Sequence, residues 1–239
     1  GKVSINGGEW YSQYEQVGGG AVNFVRKFYG LSYPEAVRSL LGSNAGTELS
    51  RADNKPQEEA RPPFTLPPKN TDMRRVYGYL VGERLIDRDV LTTFVRDGLI
   101  YEDAEYHNAV FVGSNPDGVP CHAQKRSTSP VSDFKGNLTG SIAEYSFHFV
   151  GESEYLFIFE APIDMLAYIS MNKPGWEKHS YVALCSTADR AACQMLKDYP
   201  NLKTVFLCLD HDSAGIEGCY RLAESIHAIG EYSIWRKSP

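Results

Sequence analysis

Continuous apolar runs that alternate with helical periodicities constrain the last third of this chain more tightly than any other feature. Leu156-Phe157-Ile158-Phe159, Tyr181-Val182-Ala183-Leu184 and Val205-Phe206-Leu207-Cys208-Leu209 are uninterrupted runs of strand length. Helical spacing follows each of them, from Pro162 to about Met171, from Thr187 to Tyr199 and from Ala214 to Ile229, ahead of a short fourth strand from Tyr232 to Trp235. A strand that is apolar on both faces must be covered on both faces, and the intervening helices are the available covers. The expectation for 152–239 is an α/β fold with a buried, mainly parallel sheet built from βαβ crossovers and flanked by helices.

Upstream the pattern changes twice. Residues 1–44 read as a small opening unit: one or two strands around Asn6-Gly7-Gly8, a break at Gly18-Gly19-Gly20, a helix from Ala21 closed by Gly30, and a second helix. That second helix has Ser32 as N-cap, Pro34 in its first turn and a stop at Gly42. Residues 45–70 carry Pro56, Pro62, Pro63, Pro67 and Pro68 among Asn, Asp and Glu, which is the composition of an extended linker. Residues 71–151 read as a small α+β domain, with helices over Asp72–Val81 and Asp87–Asp97 and a β-hairpin over 109–126 turning at Asn115-Pro116-Asp117-Gly118.

Composition removes several classes of function. No apolar stretch of the 239 residues is long enough to cross a membrane, and the N-terminus lacks the apolar region of a secretory signal, so a cytoplasmic location is expected. The five cysteines, Cys121, Cys185, Cys193, Cys208 and Cys219, contain no C-x-x-C pair and read as reduced thiols. With a net charge of −6, the molecule as a whole does not attract nucleic acid, and any such contact must be local or run through a bound cation.

In a parallel sheet, functional groups gather just past the carboxyl ends of the strands. Glu160 is the first residue past the first apolar run, and Asp164 follows one helical turn later. Asp210 and Asp212 follow the third run, where alternate residues of an extended chain point the same way. Four carboxylates brought to one sheet edge would repel and raise one another's pKa. A hard divalent cation relieves that conflict, and an all-oxygen ligand set suits Mg²⁺ or Mn²⁺.

Phe159-Glu160-Ala161-Pro162-Ile163-Asp164 and Leu209-Asp210-His211-Asp212-Ser213-Ala214-Gly215 resemble the two motifs of a Toprim domain, the metal-binding module of bacterial primases, topoisomerases and some nucleases. Ala161 replaces the usual glycine. Ala214 stands where topoisomerases carry a third acid, which brings the pattern closer to primases. Gly18-Gly19-Gly20-Ala21-Val22-Asn23-Phe24-Val25 and Gly30-Leu31-Ser32-Tyr33-Pro34-Glu35-Ala36-Val37 are similar to the tail of the primase zinc-binding domain. Its cysteine and histidine ligands are missing here, and Trp10, Tyr11 and Tyr14 stand in their region, which implies a zinc-free remnant held by aromatic packing. Tyr106-His107-Asn108-Ala109-Val110-Phe111, the following hairpin and Gly140-Ser141 resemble an uncharacterised segment found before Toprim domains in primase-like proteins of conjugative and other mobile elements.

These resemblances imply a metal-dependent nucleotidyltransferase that makes primers on a single-stranded DNA template from nucleoside triphosphates, with a helicase or relaxase as a further partner. Glu160, Asp164, Asp210 and Asp212 would be its catalytic and metal-binding residues, with Glu160 acting as a ligand or as the general acid/base. By carry-over from the hairpin of primases, Lys125 and Arg126 would contact phosphate. A Toprim nuclease acting on DNA and a non-catalytic DNA-binding accessory protein are the alternatives.

Overall fold

An antiparallel three-stranded sheet opens the chain: β1 (Val3–Asn6), β2 (Glu9–Ser12) and β3 (Val17–Gly20), in that spatial order. The register Asn6↔Glu9 makes β1 and β2 the expected hairpin. The glycine run does not break the chain. It pairs with β2 as a third strand, because ladder hydrogen bonds need no side chains, and Gly19 lies opposite Trp10. Two helices follow, α1 (Ala21–Tyr29) and α2 (Tyr33–Leu41). Trp10 is buried against Phe24 and Phe28, with ring centroids 5.7 and 5.1 Å away. Ser32 stands just before α2, its carbonyl accepting the Ala36 N–H at 2.9 Å, and the Glu35 carboxylate reaches back to accept the Ser32 N–H and hydroxyl at 2.9 and 2.6 Å.

The computed structural model describes residues 3–6, 9–12, 17–41, 63–186 and 188–237, and the chain divides into two units, 1–59 and 60–239. The expected Gly7-Gly8 turn, Tyr14, the stop at Gly42 and most of the proline-rich linker lie outside the described residues.

The second unit begins with α3 (Arg74–Tyr77), which continues as a π-helical stretch over Gly78–Glu83 instead of ending near Val81. Then comes α4 (Arg88–Arg96), capped by Asp87, whose carboxylate accepts the N–H groups of Asp89 and Val90. The strands β4 (Ile100–Glu102), β5 (Ala109–Ser114), β6 (Pro120–Arg126) and β7 (Lys135–Asn137) form an antiparallel sheet in sequence order, with the expected hairpin as its centre. β8 (His148–Phe149) crosses to a second sheet.

That sheet is the predicted α/β element: β9 (Tyr155–Phe159), α5 (Pro162–Met171), β10 (Ser180–Ala183), α6 (Arg190–Asp198), β11 (Thr204–Leu207), α7 (Ser213–His227) and β12 (Ser233–Arg236). The spatial order is β12-β11-β9-β10-β8, with every pair parallel except β8 against β10. Side chains of β9 alternate between two cores. Leu156 and Ile158 pack with Val182, Met195 and Leu222 beside α6 and α7. Phe157 and Phe159 pack with Leu166 of α5, and the same cluster continues through Phe94 and Phe111 of the preceding segment. Each fully buried Phe or Leu contributes about 1.5–3 kcal/mol, so this two-sided burial makes β9 the anchor of the unit.

Chain direction then positions a crevice. From β9 the chain passes through α5 to β10 on one side, and from β10 it returns through α6 to β11 on the other. The carboxyl ends of β9 and β11 are therefore adjacent while their helices leave to opposite faces, which is the topological switch point where open α/β sheets bind ligands.

Candidate active site

Glu160 and Asp210 emerge at this switch point from adjacent strands, and the Asp210 N–H donates to Glu160 Oε1 at 3.3 Å. Asp164 sits in the first turn of α5, where its carboxylate accepts the N–H of Ala161 and so fastens the helix start to the end of β9. All three acids line one open pocket of roughly 780 Å³. Burial raises the pKa of Asp164, and the nearby Asp210 and Glu160 charges push it in the same direction, with Lys135 acting against them.

Asp212 stands apart from these three. Its carboxylate accepts the Gly215 N–H at 2.7 Å and caps α7, and it is not among the residues lining the pocket. The expected alternation of Asp210 and Asp212 fails because β11 ends at Leu207, so the chain has left the ladder before either acid. Gly215 is needed for this turn: a Cβ there would collide with the Asp210 carbonyl, so any side chain would push α7 off the loop that carries Asp210.

Lys125 and Arg126 are near the site in sequence but do not line it. Lys125 lies 3.8 Å from buried Asp103 and over the Tyr106 ring. Arg126 donates through Nε to the Tyr79 hydroxyl at 3.1 Å and pairs with Asp133 at 3.8 Å. Arg84 donates to the same Tyr79 hydroxyl at 3.0 Å, so two guanidinium groups converge on one buried tyrosine. The basic side chain that faces the acids is Lys135 of β7, beside Gln124 of β6. Arg221 of α7 also lines the pocket and pairs with Glu217 at 3.3 Å. The register Arg126↔Lys135 explains the exchange, because Lys135 is the cross-strand neighbour of the residue that sequence reasoning chose.

His211 Nδ1 meets Arg236 Nη2 at 3.1 Å. His122 is fully buried, with neither ring nitrogen hydrogen-bonded within the described structure, and burial together with His148 lowers its pKa to about 4.

Among the described residues no set of three or more His, Cys, Asp or Glu side chains is gathered tightly enough to enclose a metal ion. The donor chemistry of the pocket nevertheless fits Mg²⁺ or Mn²⁺. Its acids are hard oxygen donors at an open site, and Mg²⁺ is commonly held by one or two carboxylates with waters and substrate phosphates completing its shell.

Part of the chain is Toprim-like, and its fold is similar to that of a solved primase fragment. Residues 157–238 match the Toprim-like family model, and residues 78–153 match a family described as protein of unknown function, DUF3991. The primase fragment of the bacteriophage T7 primase-helicase protein aligns over 64% of this chain and 62% of its own, at 16% identity and a TM-score of 0.50. The chain thus spans 62% of the length of that fragment. A chain from the structure of T7 lagging-strand DNA polymerase interacting with primase domains bound to an RNA/DNA hybrid and dTTP aligns over 65% of this chain and 76% of its own, at 15% identity and a TM-score of 0.50. The RNA polymerase domain of Mycobacterium tuberculosis primase aligns over 70% of each chain at 15% identity, with a TM-score of 0.47. None of the curated proteins matches the sequence. No helix among the described residues is long and apolar enough to cross a membrane.

Proposed function

We propose that this chain is a primase-like nucleotidyltransferase that makes primers on single-stranded DNA in the replication of a mobile element. The observation that carries the reading is the convergence of Glu160, Asp164 and Asp210 at the switch point of a primase-type sheet, in one pocket with Lys135. Mg²⁺ or Mn²⁺ held by these acids would neutralise the triphosphate of an incoming nucleotide and stabilise the departing pyrophosphate. Lys135 and Arg221, which both line the pocket, would bind phosphate oxygens and orient the α-phosphorus toward a primer 3′-hydroxyl. Glu160 would serve as a ligand or accept the hydroxyl proton. Asp212 would position the site by capping α7 and so fixing the Asp210 loop. Arg84 and Arg126 would hold template phosphates, with Tyr79 fixing their direction. A cytoplasmic location and a helicase or relaxase partner belong to the same reading.

The test is de novo synthesis on single-stranded DNA with labelled ribo- and deoxynucleotides and Mg²⁺ or Mn²⁺, the template itself being end-labelled. New oligomers are expected, reduced roughly 100-fold or more by Asp210→Asn, the scale on which one electrostatic group acts at such a centre. A shortened template that depends on Asp210 would replace this reading with a nuclease. Neither signal from folded protein would leave an accessory role.

A further inference from the structure

The outer edge of the parallel sheet is open. β12 is its last strand, and among the described residues no strand pairs with the side turned away from β11. The Ser233 N–H donates to the Lys203 carbonyl and the Lys237 N–H to the Leu207 carbonyl. Ser233, Trp235 and Lys237 therefore turn their backbone groups toward β11, and the N–H and C=O groups of Ile234 and Arg236 point outward. The side chains alternate as well. Tyr232 and Ile234 pack into the core beside α6 and α7, while Trp235 is the neighbour of Phe206 on the other face and is 61% exposed. Parallel sheets are normally covered on both faces, and an open edge is a template for another strand.

We propose that β12 pairs with β12 of a second copy of this chain, antiparallel, about a two-fold axis through Ile234. The order of residues in Glu231-Tyr232-Ser233-Ile234-Trp235-Arg236-Lys237 selects both the partner and the register. With Ile234 opposite its own copy, Arg236 meets the copy's Tyr232, Trp235 meets Ser233 and Lys237 meets Glu231. Each of these pairs lies on one face of the joined sheet, and each occurs twice, as a two-fold contact requires. The outward N–H and C=O groups of Ile234 face those of its copy, which is the hydrogen-bonded pairing of antiparallel strands. Two Lys237–Glu231 ion pairs flank the axis. Trp235 has the small Ser233 opposite it, and the two tryptophans stand diagonally across the axis, within reach of aromatic rings. An axis through Trp235 would set Lys237 against Ser233 instead and leave Glu231 unmatched, so the charges select Ile234. Lys237 also donates to the Tyr168 hydroxyl at 2.7 Å, and its ammonium has further N–H groups for Glu231. A basic edge ordinarily repels other strands, whereas self-pairing meets this one with an acid. The copies run in opposite directions, so their acidic pockets open on opposite edges of one continuous sheet.

Sedimentation velocity of the full chain at rising concentration tests this. It is run on wild type, Glu231→Lys, Lys237→Glu and the double reversal Glu231→Lys/Lys237→Glu, each checked for folding by circular dichroism. The wild type is expected to dimerise at concentrations on the order of 100 µM or below, the range of a small transient interface. Each single reversal sets like charges opposite one another on both sides of the axis, and is expected to weaken the dimer about tenfold or more. The double reversal restores opposite charges and is expected to return the affinity to within about threefold of wild type. That rescue is decisive, because a loss caused by the missing Lys237–Tyr168 bond would persist in the double variant. A folded wild type that stays monomeric throughout this range would overturn the proposal and leave the edge to a different partner. A dimer that ignores both single reversals, or that the double reversal fails to restore, would place the contact elsewhere and overturn it too.

Discussion

His122 shows how a single buried side chain couples this fold to pH. Its imidazole is enclosed without a hydrogen-bond partner among the described residues, and burial with neighbouring His148 lowers its pKa from 6.5 to about 4. The folded chain therefore keeps His122 neutral over a range in which the unfolded chain protonates it. Stability from this group is complete above about pH 6.5 and is lost as pH falls from there toward 4. The integrated loss between pH 7.5 and pH 5 is about 2 kcal/mol. Burial lowers the pKa of His148 too, so it adds in the same direction. Urea unfolding of wild type and His122→Phe at the two pH values measures the difference, and the variant is expected to lose less stability on acidification. An equal loss in both proteins would show that the ring is hydrated or paired.

Within single elements, the sequence showed which acids meet at the sheet edge, and where the placement differs the causes are physical. Glu160 and Asp164 were readable because β9 is apolar to its last residue and Pro162 starts α5 at once, so one acid at the strand end and one in the first turn of the helix must be neighbours. Asp210 was readable because the apolar run that contains β11 continues through Leu209 and ends there. Asp212 does not share the direction of Asp210 that strand alternation predicts, because β11 ends at Leu207 and the chain is no longer extended in a ladder where the acids lie. Asp212→Ala is expected to cost about 1 kcal/mol of stability, and Asp212→Ser, which keeps a capping oxygen, a few tenths. Thermal unfolding of the two variants tests this, and equal losses would remove the capping assignment. Lys135 was passed over because β7 is three residues long and its position against the acids depends on pairing with β6, a long-range fact that no local period encodes. The π-helical stretch at Gly78–Glu83, which delivers Tyr79 to two arginines, likewise left no periodic signature.

At the scale of the whole molecule, the sequence boundary near residue 151 does not divide the hydrophobic packing. One cluster runs from Val76, Phe94 and Phe111 to Phe157, Leu166 and Tyr181, and Phe94 stacks on Trp176 at 5.4 Å. A fragment of residues 152–239 would therefore expose one face of β9 and β10 to water, whereas residues 60–239 keep it covered. Circular dichroism and dye binding are expected to show cooperative unfolding for 60–239 and exposed apolar surface for 152–239. Cooperative unfolding of the shorter fragment would make the shared cluster dispensable. The same packing places Lys135 of the antiparallel sheet and the acids of the parallel sheet around one pocket, so the proposed chemistry depends on both. The most direct measurement is primer synthesis on single-stranded DNA by Glu160→Gln, Asp164→Asn, Asp210→Asn and Asp212→Ser proteins, each checked for folding. Losses of roughly 100-fold or more are expected in the first three, with Asp212→Ser retaining most of the wild-type rate. Synthesis that survives the loss of the pocket acids, or that depends on Asp212 as strongly as on them, would contradict the assignment of the reaction centre.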